Sequence, residues 1–108
     1  MIPDLIFSQE KMNLKSAPQN GEYFCFKGNE DSICEQKISI KKNQTRVIAI
    51  LVEYVGQCGG QGPFTYPCLN NQCSDGQIEI FFINDKAYHW KNLKYQFFCE
   101  MHLIENQK

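Results

Sequence analysis

The fold is decided by a stretch near the end of the chain, Leu93-Lys-Tyr-Gln-Phe-Phe-Cys-Glu-Met-His-Leu103. Every second residue of this stretch, counted from its first leucine, is apolar, whereas Glu100 and His102 fall between these positions. Successive side chains of a β-strand point to opposite faces, so the alternation predicts a half-buried antiparallel strand. One face of that strand directs Cys99 into the core, and the other face carries Glu100 and His102.

Shorter segments upstream also have strand character and are separated by polar turns. The predicted strands cover residues 22–27, 33–41, 45–55, 77–83, 87–90 and 93–103. The run Val47 to Val52 is apolar at every position, which predicts a central strand covered on both faces. The sequence therefore predicts an all-β fold, a small antiparallel meander of about six strands closed as a barrel or folded as a sandwich.

The remaining segments predict the organisation of the chain. Residues 1–20 are interpreted as an N-terminal arm or a short helix that Asp4 could cap, and residues 21–108 as one β domain. Residues 56–76 are interpreted as a long, Cys-rich loop. The first residues lack the basic region of a signal peptide, so we expect an exported protein to be numbered here from its processed chain.

Composition excludes several classes of protein. Hydrophobic residues make up 43% of the chain and charged residues 21%, which is typical of a folded domain rather than a disordered one. A net charge of −1 argues against nucleic-acid binding, and no apolar run is long enough to predict a membrane span. The basic residues of the two hairpins are interpreted as solvated strand edges, and the oligomeric state is not indicated. These residues are Lys37, Lys41, Lys42, Arg46, Lys86, Lys91 and Lys94.

Six cysteines in 108 residues predict a disulfide framework in an oxidising compartment. Cys25 lies in the first predicted strand and Cys99 in the last, and a bridge between them would contribute about 4 kcal/mol by tying the ends of the meander. The other pairings stay open, including Cys68 with Cys73 or Cys58 with either of them. The full set of candidates is Cys25, Cys34, Cys58, Cys68, Cys73 and Cys99.

The loop over residues 56–76 is the predicted binding site. It has no charged residue before Asp75, and Phe64 and Tyr66 stand between two prolines. Aromatic residues among small polar ones are typical of protein-binding loops. We therefore expect a protein partner and no cofactor. The predicted binding residues are Gln57, Gln61, Phe64, Tyr66, Asn70 and Asn71.

Two alternatives remain open at the level of the sequence. His89, His102 and Glu100, with lysines nearby, could form the acid–base site of a small secreted hydrolase of the ribonuclease kind. Alternatively, the spacing of Cys68 and Cys73, with Cys58, is compatible with zinc in a reduced intracellular or phage interaction module.

The segment Tyr23-Phe-Cys25-Phe-Lys-Gly28 resembles the Tyr-x-Cys-x-x-Gly opening of the C-type lysozyme inhibitors of bacterial envelopes. The resemblance implies a small β-barrel in which Cys25 bonds Cys99, although the family's Ser-Gly-x-x-Tyr signature for the inhibitory loop is absent. The chain also resembles immunity proteins that block toxic cell-wall enzymes. We therefore expect a secreted or periplasmic, non-enzymatic inhibitor or immunity protein that blocks an enzyme through its Cys58–Cys73 loop.

Overall fold

The structure is a computed structural model that describes residues 16–28, 35–55 and 62–105. Within these ranges the chain forms eight strands and no helix. The strands are β1 Gly21–Gly28, β2 Glu35–Asn43, β3 Arg46–Val55, β4 Phe64–Leu69, β5 Gln72–Ser74, β6 Ile78–Asn84, β7 Ala87–Asn92 and β8 Phe97–Leu103. Each strand pairs antiparallel with the next, and β8 pairs with β1 to close a barrel. The predicted all-β class is confirmed, with eight strands instead of about six.

The barrel interior is filled by side chains from alternating positions of the strands, as expected for a barrel of this size. Along β8, the buried residues Cys99 and Met101 alternate with the half-buried Glu100 and His102, as the sequence predicts. Several aromatic residues share this interior with aliphatic ones. The core contains Tyr23, Ile38, Ile50, Val52, Tyr66, Ile80, Phe82, Tyr88, Trp90, Cys99 and Met101.

Strand β3 is fully covered on its interior face and only partly covered on its outer face, where Ala49 is buried; this corrects the prediction of a central strand covered on both faces. Ile50 and Val52 point into the barrel and are fully buried, whereas Leu51 is half-buried and Ile48 is 42% exposed. The register shifts along the β2–β3 pair, because Lys41 pairs with Ala49 while Lys42 pairs with Val47. Ile48 is therefore the extra residue of a β-bulge.

Two disulfides cross-link the described part of the chain. Cys25 and Cys99, whose Cα atoms are 5.4 Å apart, join β1 to β8 and reinforce the strand pair that closes the barrel. This bridge was predicted, and it packs against Gly28: a Cβ there would lie against the Phe98 carbonyl oxygen and 2.9 Å from Cys25 Sγ. The second bridge joins Cys68 to Cys73. Cys34 and Cys58 lie outside the described residues.

Three predicted segments differ from the structure or fall outside it. The predicted loop over residues 56–76 contains two strands, β4 and β5, and its residues 56–61 lie outside the described ranges. The start of the last strand is also different: residues 93–96 form a turn, because Asn92 Oδ1 accepts hydrogen bonds from the backbone of Lys94 and Tyr95. The predicted N-terminal helix lies outside the described residues, and residues 16–20 form neither helix nor strand.

Candidate functional site

The tip of the β4–β5 hairpin is held in shape by a disulfide and a tight turn. Cys68 pairs with Cys73 and Leu69 with Gln72, so that two asparagines alone connect the strands. Asn70 has a φ of 60°, in the left-handed region, which asparagine tolerates better than most residues. The Cys68–Cys73 bridge lies one residue pair before the turn. The hairpin tip, defined as residues 67–74, is therefore constrained before any partner arrives.

The hairpin tip separates two surface grooves. A groove of about 620 Å³ is lined only by uncharged residues: Pro67, Cys68, Leu69, Asn70, Asn71, Gln72, Ser74 and Phe81. A second groove of about 390 Å³ is lined by Ala17, Thr45, Arg46, Val47, Asn70, Asn71 and Phe82. The two asparagines of the turn line both grooves. Leu69 is 65% exposed at this position, the highest value among the large hydrophobic side chains that the structure describes.

The four predicted binding residues that the structure describes do not form one surface. Tyr66 is 3% exposed, and its hydroxyl group lies 2.8 Å from that of Tyr54, so the prediction that it contacts a partner is wrong. Phe64 is 40% exposed, but it lies at the opposite end of β4 from the hairpin tip and packs against Tyr54. Asn70 and Asn71 lie at the tip as described above. Gln57 and Gln61 lie outside the described residues.

The sequence reading missed Leu69. A signal was present, because Cys68-Leu-Asn-Asn-Gln-Cys73 places two turn-forming residues between two short flanks, which is typical of a hairpin. Once the hairpin is recognised, the apolar residue beside the turn becomes a candidate for partner contact.

A second cluster lies on the outer surface of β7 and β8. His102 Nε2 lies 2.7 Å from Glu100 Oε2, and His89 Nε2 lies 3.8 Å from Glu100 Oε1. The two histidines also contact phenylalanine rings, since Phe26 stacks on His102 with ring centroids 4.1 Å apart and Phe98 lies 5.2 Å from His89. The structure therefore brings together the three residues of the predicted acid–base site.

The electrostatics of this cluster favour the ionised carboxylate. The hydrogen bond with His102 is the largest cause and lowers the pKa of Glu100. Burial is the next largest and raises it, and the charges of His102, His89 and Lys27 lower it by smaller amounts. Two lysines that the sequence associated with this cluster contact aromatic rings: Lys91 Nζ lies 5.9 Å from the centre of the Phe81 ring, and Lys94 Nζ lies 5.3 Å from the centre of the Tyr95 ring.

The zinc alternative is not supported at the hairpin tip. Cys68 and Cys73 are joined in a disulfide, and a cysteine must be a free thiolate to bind zinc. Within residues 16–28, 35–55 and 62–105, no group of three His, Cys, Asp or Glu side chains is arranged to hold a metal ion.

The described part of the chain also contains no helix that could span a bilayer. Two disulfides indicate an oxidising environment for the folded protein. Compared with models of protein families, with curated proteins and with solved structures, the chain has no match.

Proposed function

We propose that this protein is a secreted or periplasmic inhibitor or immunity protein that blocks an enzyme, either a cell-wall hydrolase or a toxin, with its hairpin tip. The observation that carries the proposal is the disulfide-constrained, uncharged tip on which Leu69 is 65% exposed between two grooves. A convex tip with an apolar side chain at its side is suited to enter the cleft of an enzyme.

The energetics of the tip support binding. Burying an exposed leucine side chain contributes about 1.5–3 kcal/mol, which is the scale of a binding hot spot. A segment that is already ordered loses little conformational entropy on binding, so more of this contribution is retained in the affinity. Asn70 lies at the turn and can offer both a donor and an acceptor to a partner.

The first strand gives independent support. Its Tyr23-x-Cys25-x-x-Gly28 pattern resembles the envelope lysozyme inhibitors, and Cys25 is bonded to Cys99 in the barrel. Inhibitors and immunity proteins of this kind act outside the reducing cytoplasm, where such bridges persist. The contact itself must differ from theirs, since the inhibitory signature of that family is absent.

Inhibition assays test the proposal directly. The purified, oxidised protein is added to a panel of peptidoglycan hydrolases (muramidases, amidases and endopeptidases) and of cell-wall-degrading toxins, and inhibition constants are measured. We expect at least one enzyme to be inhibited, and we expect Leu69→Asp to raise the inhibition constant at least tenfold, about 1.4 kcal/mol.

A matched control is Leu93→Asp, because Leu93 is 45% exposed and lies in the turn at the other end of the barrel. Circular dichroism establishes that both variants are folded. Absence of inhibition across the panel, or an equal loss for the two variants, would contradict the proposal.

The convergence of His89, Glu100 and His102 favours a second candidate, a small secreted hydrolase. Glu100 would hold the His102 imidazole by its Nε2 atom, so that Nδ1 could remove a proton from a substrate hydroxyl group while His89 protonates the leaving group. Incubation with RNA and glycan substrates tests this candidate. Turnover by the parent that is lost in His102→Gln would support it, whereas turnover that survives this substitution would exclude it.

A further inference from the structure

Positive charge is concentrated on the β2–β3 hairpin. Lys41, Lys42 and Arg46 are exposed, and the sequence from residue 36 to residue 52 contains no acidic residue. The whole chain carries −1, so the rest of the chain carries −4 once these three cations are set apart. Among the described residues, no carboxylate forms an ion pair with any of the three, since the acidic partners found are Glu100 and Glu105. These charges are therefore available to a partner.

The β-bulge places an apolar side chain among the cations. Because of the shift in register between Lys41 and Lys42, Ile48 is extruded from the regular pairing and is 42% exposed. A surface of only lysine and arginine would be a simple solvated edge. The presence of an exposed isoleucine in the same hairpin is a feature of contact surfaces, in which apolar anchors are surrounded by polar groups.

The basic hairpin and the hairpin tip lie side by side at one end of the barrel. Strand β3 pairs with β4, with Ala49 opposite Pro67. One groove is lined by Arg46 from the first hairpin and by Asn70 and Asn71 from the second. The two hairpins are thus neighbours at this end of the barrel, and we call their exposed basic and apolar residues together the basic–apolar face: Lys41, Lys42, Arg46, Ile48 and Leu69.

We propose that the basic–apolar face binds an acidic protein surface, namely the carboxylate-lined cleft of the enzyme that the protein inhibits. This inference rests on the proposed function and specifies the chemistry of the partner. Carboxylates of the partner face Lys41, Lys42 and Arg46, while its apolar groups contact Ile48 and Leu69. Complementary charge of this kind accelerates association and selects among partners.

A protein surface fits this face better than a nucleic acid does. Single-stranded nucleic acids stack their bases on aromatic side chains along a cationic groove, whereas the exposed apolar side chains of this face are aliphatic and accompany only three cations. The charge of −4 on the rest of the chain would also repel a long polyanion beyond the contact.

An experiment on the full chain with intact disulfides requires no knowledge of the natural partner. The probe is a 12-residue peptide in which Asp or Glu alternates with Leu, and a 12-nucleotide single-stranded RNA is the competing probe. NMR titration of the labelled protein should shift the signals of the basic–apolar face, and higher salt should weaken binding of the peptide. Shifts confined to other surfaces, or tighter binding of the RNA at the same residues, would overturn the inference.

Charge reversal gives the second measurement. The variant Lys41→Glu/Lys42→Glu/Arg46→Glu should bind the peptide at least tenfold more weakly than the parent. The matched control, Lys27→Glu/Lys91→Glu/Lys94→Glu, changes the net charge by the same amount on other exposed positions and should bind within twofold of the parent. Equal losses in both variants would show an effect of net charge alone and would overturn the inference.

The same variants separate this inference from the proposed function. If the parent inhibits a hydrolase and the Lys41/Lys42/Arg46 reversal inhibits it equally well, the acidic partner is excluded while the inhibitor function stands. If no hydrolase or toxin is inhibited but the peptide binds at the basic–apolar face, the assignment of the face stands and the inhibitor function fails.

Discussion

Glu100 and His102 form a hydrogen-bonded pair on the outer surface of β8, with His102 Nε2 2.7 Å from Glu100 Oε2. The two residues are two positions apart, so their side chains project from the same face of the strand. His89 on β7 approaches the other carboxylate oxygen, and Lys27 on β1 pairs with Glu100 in the strand register. One carboxylate thereby lies near three basic side chains, which come from three neighbouring strands.

We predict that Glu100→Gln weakens the pH dependence of stability on the acid side. The pKa of this carboxyl is lower in the folded protein than its ordinary value of 4.5, chiefly because of the His102 hydrogen bond. Its contribution is therefore present above pH 4.5 and is lost as the pH falls through the folded pKa. Because the pair is partly exposed, the free energy of unfolding of the parent should exceed that of the variant by at most about 1 kcal/mol near pH 6.

Urea unfolding across a pH series measures this difference in the free energy of unfolding, which should decrease towards zero as the pH falls below 4.5. Glu53→Gln is the control, because Glu53 is an exposed carboxylate on β3 that lies away from the histidines. Identical pH profiles for the two variants would show that the pairing at Glu100 does not contribute to stability.

A second prediction concerns the buried pair Gln36 and Tyr88. The Tyr88 hydroxyl donates to Gln36 Oε1 at 2.7 Å, and both side chains are fully buried. Gln36 Nε2 is buried and has no hydrogen-bond partner among the described residues. Tyr88→Phe leaves the whole carboxamide unpaired, and we expect it to lower the free energy of unfolding by about 1–3 kcal/mol.

A double-mutant cycle tests whether these two groups act together. Gln36→Leu alone leaves the Tyr88 hydroxyl unpaired, but in the double variant neither polar group remains buried without a partner. The double variant should therefore be less destabilised than the sum of the single variants. Strict additivity would mean that the hydrogen bond is not the source of the effect.

A third prediction concerns the tyrosines that face the barrel interior. Burial is the main cause that raises the pKa of each phenol. A tyrosinate would be poorly solvated in the core, so we expect these phenols to ionise only when the protein unfolds. Stability is therefore full below the unfolded value of about 10 and is lost as the pH rises above it. The tyrosines concerned are Tyr23, Tyr54, Tyr66 and Tyr88.

Alkaline titration followed by tyrosinate absorbance and by circular dichroism checks this expectation. Most of the tyrosine ionisation should coincide with unfolding, and Tyr66→Phe should remove one phenol from that cooperative step. Gradual ionisation of all tyrosines in a protein that stays folded would show that the interior admits water.

The alternation in the last strand predicts the inward position of Cys99 and the shared face of Glu100 and His102, and together with the other strand-like segments it predicts the all-β class. The same alternation wrongly places Tyr95 on the buried face, although this side chain is 58% exposed. Residues 93–96 form a turn to which the Asn92 side chain is hydrogen-bonded, and alternation alone cannot distinguish such a turn from a strand. Residues 64–69 are predicted as part of a loop because the segment around them is rich in Gly, Pro and Cys and has no charged residue before Asp75. Because strand β4 was not predicted, the burial of Tyr66 on its interior face was not predicted either.

The sequence places His89 and Glu100 in one candidate acid–base site, but it does not specify how closely they approach. Their approach depends on the register between β7 and β8, in which these two residues are directly opposite each other. Register is set by turn geometry and by packing of the interior face, neither of which the local sequence specifies. The position of Ile48 outside the regular pairing likewise results from the bulge in the β2–β3 register.

The last prediction separates the roles of the two disulfides. Their cysteines are 74 and 5 residues apart, so the chain-entropy relation gives costs of about 4 kcal/mol for Cys25→Ala/Cys99→Ala and about 2 kcal/mol for Cys68→Ala/Cys73→Ala. The second variant should stay folded. Its hairpin tip must then become ordered on binding, so we expect weaker inhibition of the target enzyme. Thermal unfolding and inhibition constants are the measurements.

The two bridges differ in what their loss should change, and this difference makes the pair of variants informative. Where both variants are still folded, removal of Cys25–Cys99 should lower stability with little change in the inhibition constant, because that bridge closes the barrel away from the hairpin tip. Removal of Cys68–Cys73 should lower stability by a smaller amount but should raise the inhibition constant. If the tip variant inhibits as well as the parent, the two-residue turn is ordered by its strand pairing alone, and the disulfide serves stability rather than recognition.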